Sequence, residues 1–262
     1  MFREFVASSW DHALELLYED SWNEEIERFR SNFAFRGLSD SGYDLKTSLQ
    51  RVGGIYEKLE GSILRNFRKY ARIDFADQFY SDWKWLVLGQ HHGLPTRLLD
   101  WTYSPFAALH FCTEDLSHYD RDGVVWCVDY CKTHRYIPNE LKEQQEYAGS
   151  LIFTVGMLER AANNLKKFDE LTSSPYAIFF EPPSLDERIV NQYAILSVLS
   201  DPTLTFDKWL ETHPDLCKRI IIPASIKWEV RDKLDQANLT ERVFFPGLDG
   251  LASWLKRFYS PK

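Results

Sequence analysis

Apolar residues at Trp10, Ala13, Leu14, Leu17 and Ile26 recur at roughly helical spacing among acidic ones, which predicts an amphipathic helix over residues 8–30. Asn32-Phe-Ala-Phe-Arg-Gly37 then reads as a short strand that stops before the turn-forming Ser39-Asp-Ser-Gly42. Leu59, Ile63, Leu64 and Phe67 place a helix over Tyr56 to Tyr70, and a further helix is expected from Phe75 to Leu88. Gly123 to Asp129 has the continuous apolar character of a buried strand. A mostly helical, polar stretch over about 132–174 is expected to cover it. Tyr176 to Glu181, Ala194 to Leu199 and Lys218 to Pro223 are strand-like. A helix carrying Ile226, Val230 and Leu234 follows, then Arg242-Val-Phe-Phe245 and a last helix with Leu248, Leu251, Ala252, Leu255 and Phe258. Strands and helices mixed without a regular βαβ beat predict an α+β fold, organised as a single domain over residues 1–262.

One stretch departs from this ordinary patterning. Leu88 to Phe111 sets His91, His92, Gly93 and Pro95 ahead of Arg97, Asp100 and Thr102, which alternate with Leu98, Leu99 and Trp101. That reads as a loop feeding a half-buried strand whose polar side chains converge, the usual signature of a site. Ser104 and Pro105 start the next helix, Ser104 as the cap and Pro105 at the first helical position.

Composition narrows the picture further. Aromatics make up 15% of the 262 residues, enough for a packed core, and 39 acidic against 31 basic residues give a net charge of −8. That balance opposes broad, non-specific attraction to nucleic acid, while leaving room for a local basic pocket. The amino-terminal residues lack the apolar core of a signal peptide and no run is long enough to span a bilayer, so a cytoplasmic protein without membrane contact is expected. Cys112, Cys127, Cys131 and Cys217 form no CxxC and are expected to be reduced, mostly buried thiols. His91 and His92 point different ways and lack a third ligand at convincing spacing, so no metal is expected. No Walker loop, GxGxxG, GxSxG or HExxH occurs.

The candidate chemistry lies in three clusters. Phe35-Arg36-Gly37 sets an arginine in an apolar strand, either paired within the core or forming a fork for phosphate or carboxylate, beside a glycine that admits a backbone or a ligand. The second is Arg97, Asp100, Trp101 and Thr102, in which Arg97 and Asp100 are either ligand contacts or a salt bridge within the loop. The third is the pair His91 and His92, either of which can act as acid or base near neutral pH. With Phe245-Pro-Gly-Leu-Asp-Gly-Leu-Ala252 near the end, these motifs resemble the FRG domain family from about residue 30 to 255.

A more distant resemblance runs to the ADP-ribosyltransferase fold, in which an aromatic-Arg-Gly strand, a polar strand leading into a helix and a glutamate segment follow in the same order. Phe35-Arg36-Gly37, Leu99 to Phe111 and Arg188-Ile-Val-Asn-Gln192 occupy those places. This resemblance implies a mixed, split β-sheet flanked by helices, NAD as substrate without a metal, and a protein or nucleic-acid acceptor. It also implies a toxin or phage-defence role, with an antitoxin among the candidate partners. Arg36, Asp100, Gln192 and His92 would then be catalytic, and Gly37, His91, Arg97, Trp101, Thr102 and Arg188 would hold the cofactor. Gln192 stands where the glutamate belongs, and a neutral amide cannot stabilise a cationic ribose as a carboxylate does. Asp100 or Glu187 is the expected substitute. The alternative is a non-catalytic module that binds a nucleotide or phosphate.

Overall fold

The computed structural model describes residues 2–71, 81–184 and 187–261. The chain opens with strand β1 (Arg3–Val6) and helix α1 (Trp10–Tyr18), followed by the two-residue strands β2 (Trp22–Asn23) and β3 (Arg28–Phe29). The expected helix over 8–30 therefore ends at Tyr18. Ser21 stops it, its hydroxyl donating to the Tyr18 carbonyl over 2.6 Å, and Asn23 Oδ1 then accepts the amides of Glu25 and Ile26 to turn the chain back. Edge-to-face packing of Trp22 on Phe29 holds the resulting ribbon.

Strand β4 (Phe33–Leu38) carries the Phe-Arg-Gly tripeptide. After α2 (Ser48–Val52), α3 (Tyr56–Tyr70) and α4 (Asp82–His91) comes β5 (Leu98–Thr102), which feeds α5 (Pro105–Thr113). The expected start of α4 at Phe75 lies outside the described residues. Ser104 caps α5 by accepting from the Ala107 amide, with Pro105 at the first position. Strand β6 (Gly123–Asp129) is buried throughout. The covering segment is mainly helical, with α6 (Tyr130–Thr133), α7 (Asn139–Ala148), α8 (Val155–Ala161) and α9 (Leu165–Asp169), but it also contributes the short strand β7 (Phe153–Thr154). Cys131 consequently sits on α6 rather than on a strand with Cys127. The chain ends with β8 (Ala177–Glu181), α10 (Glu187–Asn191), β9 (Ala194–Leu199), α11 (Phe206–Glu211), β10 (Cys217–Ile222), α12 (Ala224–Gln236), α13 (Glu241–Phe244) and α14 (Leu248–Phe258).

Eight strands form one mixed sheet in the order β1-β10-β6-β4-β5-β9-β8-β7. Its two halves join through a single antiparallel pair, Phe35 with Thr102, whereas β4 pairs with β6 over six residues and β5 with β9 over five. One face is covered twice. Phe33, Phe35, Val125 and Ile220 pack there on α1, α5 and α12, while Leu98, Ile178, Phe180 and Leu196 pack on α3, α4, α8 and α9. The opposite face carries one continuous cluster from Trp126 and Ala34 to Trp101 and Phe179, capped by Phe206, Trp209 and Leu210 of α11. All four cysteines are free, and burial pushes the Cys112, Cys127 and Cys217 thiols up to about 12 and Cys131 up to about 11, so none is an activated nucleophile.

His134 fastens the covering segment to the sheet. Its Nε2 accepts from the Phe179 amide at 2.9 Å and its Nδ1 lies 3.0 Å from the Leu151 carbonyl, an arrangement that needs the neutral ring. Burial lowers its pKa from 6.5 to about 4, the Leu151 carbonyl opposing in part. The unfolded chain then takes up a proton that the folded one refuses. Stability should fall as pH drops from about 6.5 towards 4, by up to about 3 kcal/mol. Urea unfolding across that range should show the slope, and a His134→Gln variant should flatten it, leaving the part that His110 contributes.

Candidate functional site

The single-pair junction between the half-sheets leaves a cleft of about 350 Å³. On β5 the alternation of the strand turns Leu99 and Trp101 to one face, and Leu98, Asp100 and Thr102 to the other. Extending the register of the Phe35–Thr102 pair would set Asp100 opposite Gly37, but the ladder stops short. Instead, Arg36 Nη1 donates to the Asp100 carbonyl and bridges the opening. Gly37 is required here by backbone packing: a Cβ would lie 1.8 Å from the Ala108 carbonyl oxygen of α5. It thus brings the helix onto the strand while its own backbone borders the cleft.

Arg36, Gly37, His91, Asp100, Thr102, Arg188 and Gln192 all line this one cleft. Arg36 Nε is buried and has no hydrogen-bond partner among the described residues. Burial pulls the Arg36 pKa below its usual value, and the Asp100 charge draws it part of the way back. The Asp100 carboxylate is exposed and accepts from Gln90 Nε2 at 2.7 Å. Thr102 is used structurally: its hydroxyl donates to the Gln192 carbonyl at 2.7 Å and accepts from the Ser104 amide at 3.0 Å, joining β5, α5 and the end of α10. Gln192 donates its side-chain amide to the Phe244 carbonyl, and neighbouring Asn191 does the same to Val243, which stitches α10 to α13. Tyr193, next in the chain, takes a left-handed conformation with φ of 48°. The Arg188 guanidinium lies 5.0 Å over the Phe245 ring.

Three expected site residues fall elsewhere. Arg97 is not in the cleft and does not pair with Asp100. It is 5% exposed, its Nε donates to Glu60 at 2.8 Å and its Nη1 to Asp169 at 2.5 Å. Burial works against its charge, but these two carboxylates more than reverse the effect and hold its pKa above the usual arginine value. Arg97 precedes β5, at the end of the loop, where α3 and α9 bring Glu60 and Asp169 to it. Trp101 borders the cleft through its strand, but its ring lies on the far face against Phe179 and Phe206, with Nε1 donating to Ser197. It offers no stacking surface to a ligand in the cleft. His92, the C-cap of α4, is exposed and outside the cleft, its ring edge-on to His91. Glu187 is also exposed and outside it.

The cleft holds a second carboxylate, Glu114, at the end of α5. Its Oε2 lies 3.5 Å from Nε2 of the fully buried His110, whose Nδ1 is 2.9 Å from Arg231 Nη1. Burial lowers the His110 pKa, Glu114 opposes this and Arg231 reinforces it. The i,i+4 spacing of His110 and Glu114 is the signal that sequence reading passes over. No group of His, Cys, Asp and Glu among the described residues could hold a metal ion, and no described helix is long and apolar enough to cross a membrane.

The Arg97 cluster supports the fold apart from the cleft. Glu60→Gln should therefore lower unfolding free energy by about 3 kcal/mol, the cost of breaking a buried ion pair. Denaturant midpoints of the variant and the unaltered protein should show the loss.

No curated protein and no solved structure matches the chain. Residues 31–121 match the FRG domain. The match is shorter than the span from 30 to 255 over which the motifs resemble the family, and it takes in β4, β5, α5 and Glu114, which together build most of one side of the cleft. What this shows is a similarity to the FRG domain over residues 31–121, about a third of the chain.

Proposed function

We propose that the cleft binds a nucleotide-type ligand, a planar ring carrying an anionic group, with Arg36 as the anchor for the anion. The observation that carries this reading is the electrostatic state of Arg36. Among the described residues four arginines keep a buried Nε without a partner: Arg36, Arg68, Arg219 and Arg231. Arg68 reaches Asp82, Arg219 reaches Glu4 and Arg231 reaches Asp235, but Arg36 has only the Asp100 carbonyl as a hydrogen-bond partner among the described residues. A half-buried guanidinium short of counter-charge gains most from an oxyanion placed against its fork. Phe35, Tyr43 and Phe111 line the same cleft and supply apolar, aromatic wall for a ring. A volume of about 350 Å³ is at the small end of the roughly 300–1,000 Å³ range of ligand sites, which suits one nucleotide better than a dinucleotide buried whole.

Two carboxylates in the cleft, Asp100 and Glu114, favour a second reading in which the ligand is the nicotinamide end of NAD. As the bond from ribose to nicotinamide breaks, positive charge develops on the sugar, and a nearby carboxylate stabilises it. Asp100 suits that role better than Gln192, whose neutral amide is engaged by Phe244. Transfer of ADP-ribose to a macromolecular acceptor, and a toxin or phage-defence role with an antitoxin partner, rest on this second reading alone.

Titration calorimetry with AMP, ADP-ribose and NAD tests the first reading. Arg36→Ala should weaken binding by about 2 kcal/mol, roughly 30-fold; no binding by the unaltered protein, or equal binding by the variant, would overturn it. Nicotinamide release from NAD separates the second. Asp100→Asn should abolish release while keeping most of the affinity, and tight binding of NAD that survives long incubation intact would leave a binding module.

A further inference from the structure

Gln90, in the last turn of α4, lines the cleft, and its side-chain amide is bonded at both ends. The turn that follows brings one partner into place. Gly93 takes φ of 77°, the Leu94 amide donates to the Gly89 carbonyl at 2.8 Å, and the chain doubles back so that Thr96 lies against Gln90. Thr96 is fully buried and held from three sides: its amide donates to Ser48 Oγ at 3.0 Å, its carbonyl accepts from the Leu49 amide at 3.0 Å, and its Oγ1 accepts from the Leu98 amide at 3.2 Å. Its hydroxyl donates to Gln90 Oε1, and Gln90 Nε2 donates in turn to Asp100 Oδ2 at 2.7 Å. The reversed amide would set an oxygen against the carboxylate oxygen, so the order of donors and acceptors along this chain is fixed.

We propose that Gln90 is a positioning residue, which holds the Asp100 carboxylate as an acceptor for the sugar hydroxyls of a bound nucleotide, so that the cleft prefers ribonucleotides to nucleotides without those hydroxyls. The inference rests on the nucleotide reading of the cleft and adds the part of the ligand next to its anion. Asp100 joins the two: its carbonyl accepts from Arg36, the anchor for the anion, and its side chain lines the same cleft. A nucleoside monophosphate carries its phosphate and its diol on one sugar, which suits a cationic fork and an acceptor gathered around one residue. Gln90 occupies Oδ2 and leaves Oδ1 to the cleft. An exposed carboxylate that turns freely loses that freedom when a ligand arrives, and the bond from Gln90 removes the cost beforehand. Hydrogen bonds from hydroxyls to a carboxylate are charge-assisted, and a site built to accept them rejects an analogue that lacks them.

Titration calorimetry of the full chain with AMP and 2′,3′-dideoxy-AMP tests the proposal. The unaltered protein should bind AMP about 10-fold more tightly than the analogue. Asp100→Leu should erase the preference, and Gln90→Met should cut it to about threefold, the loss expected when one side chain is no longer ordered in advance. Adding Gln90→Met to Asp100→Leu should change the ratio no further, which separates a residue acting through Asp100 from one that only supports α4. Asp100 is exposed and Gln90 half-buried, so these variants keep the fold. Equal binding of the two nucleotides by the unaltered protein, a preference untouched by Gln90→Met, or an effect of Gln90→Met that persists without Asp100 would overturn this inference alone. Absence of AMP binding would overturn the nucleotide reading and this inference with it.

Discussion

Between β4 and β5 the ladder runs for one residue pair, Phe35 with Thr102, and the cleft exists because it stops there. Two neighbouring contacts fix how the strands part. Gly37 draws α5 against β4, leaving no room for a side chain, and Arg36 spans the gap to the Asp100 carbonyl. The Thr102 hydroxyl then sets the far wall by binding both the start of α5 and the end of α10. The Phe-Arg-Gly tripeptide is thereby a structural device: the aromatic closes the last pair, the arginine bridges the opening, and the glycine admits the helix.

Much of this was legible in the chain, where a physical rule acts locally. Tyr56 to Tyr70, Ala194 to Leu199, Gly123 to Asp129 and the Ser104–Pro105 helix start follow from spacing, continuous apolar character and capping chemistry. The convergence of Arg36, Asp100, Thr102 and Gln192 on one cleft also followed from the motifs. What was not legible depended on partners distant in sequence. Arg97 looks like a ligand contact beside Asp100 until Glu60, 37 residues earlier, and Asp169, 72 later, claim its guanidinium. Strand β1 has an exposed pattern with no alternation, and only pairing with β10 defines it. The helix expected over 8–30 ended early because Ser21 and Asn23 offered the backbone better local bonds than another helical turn.

Glu114 shows what a sequence motif omits. The cleft carboxylate is the visible end of a buried chain of polar contacts: Glu114 to His110, His110 to Arg231, Arg231 to Asp235, and Asp235 to Arg257 of α14. A path of this length through a low-dielectric interior is costly unless each link is satisfied. The Arg231 and Asp235 links tie α12 to α5 and α14, whereas His110 Nε2 approaches Glu114 only to 3.5 Å and lacks a hydrogen-bond partner among the described residues.

The buried cations rank the sites by how much an incoming anion would gain. Arg97, Arg231 and Arg257 each face one or two carboxylates, and Lys218 faces Glu19 and Asp20. Lys227, fully buried, donates to two backbone carbonyls at 2.7 Å and lies over the Tyr119 ring. Arg36 has one carbonyl, an unpartnered Nε and an open cleft in front of it. Arg36 is half-buried where the others are buried, and attraction from a new anion would add most where the least compensation is present. That position is Arg36.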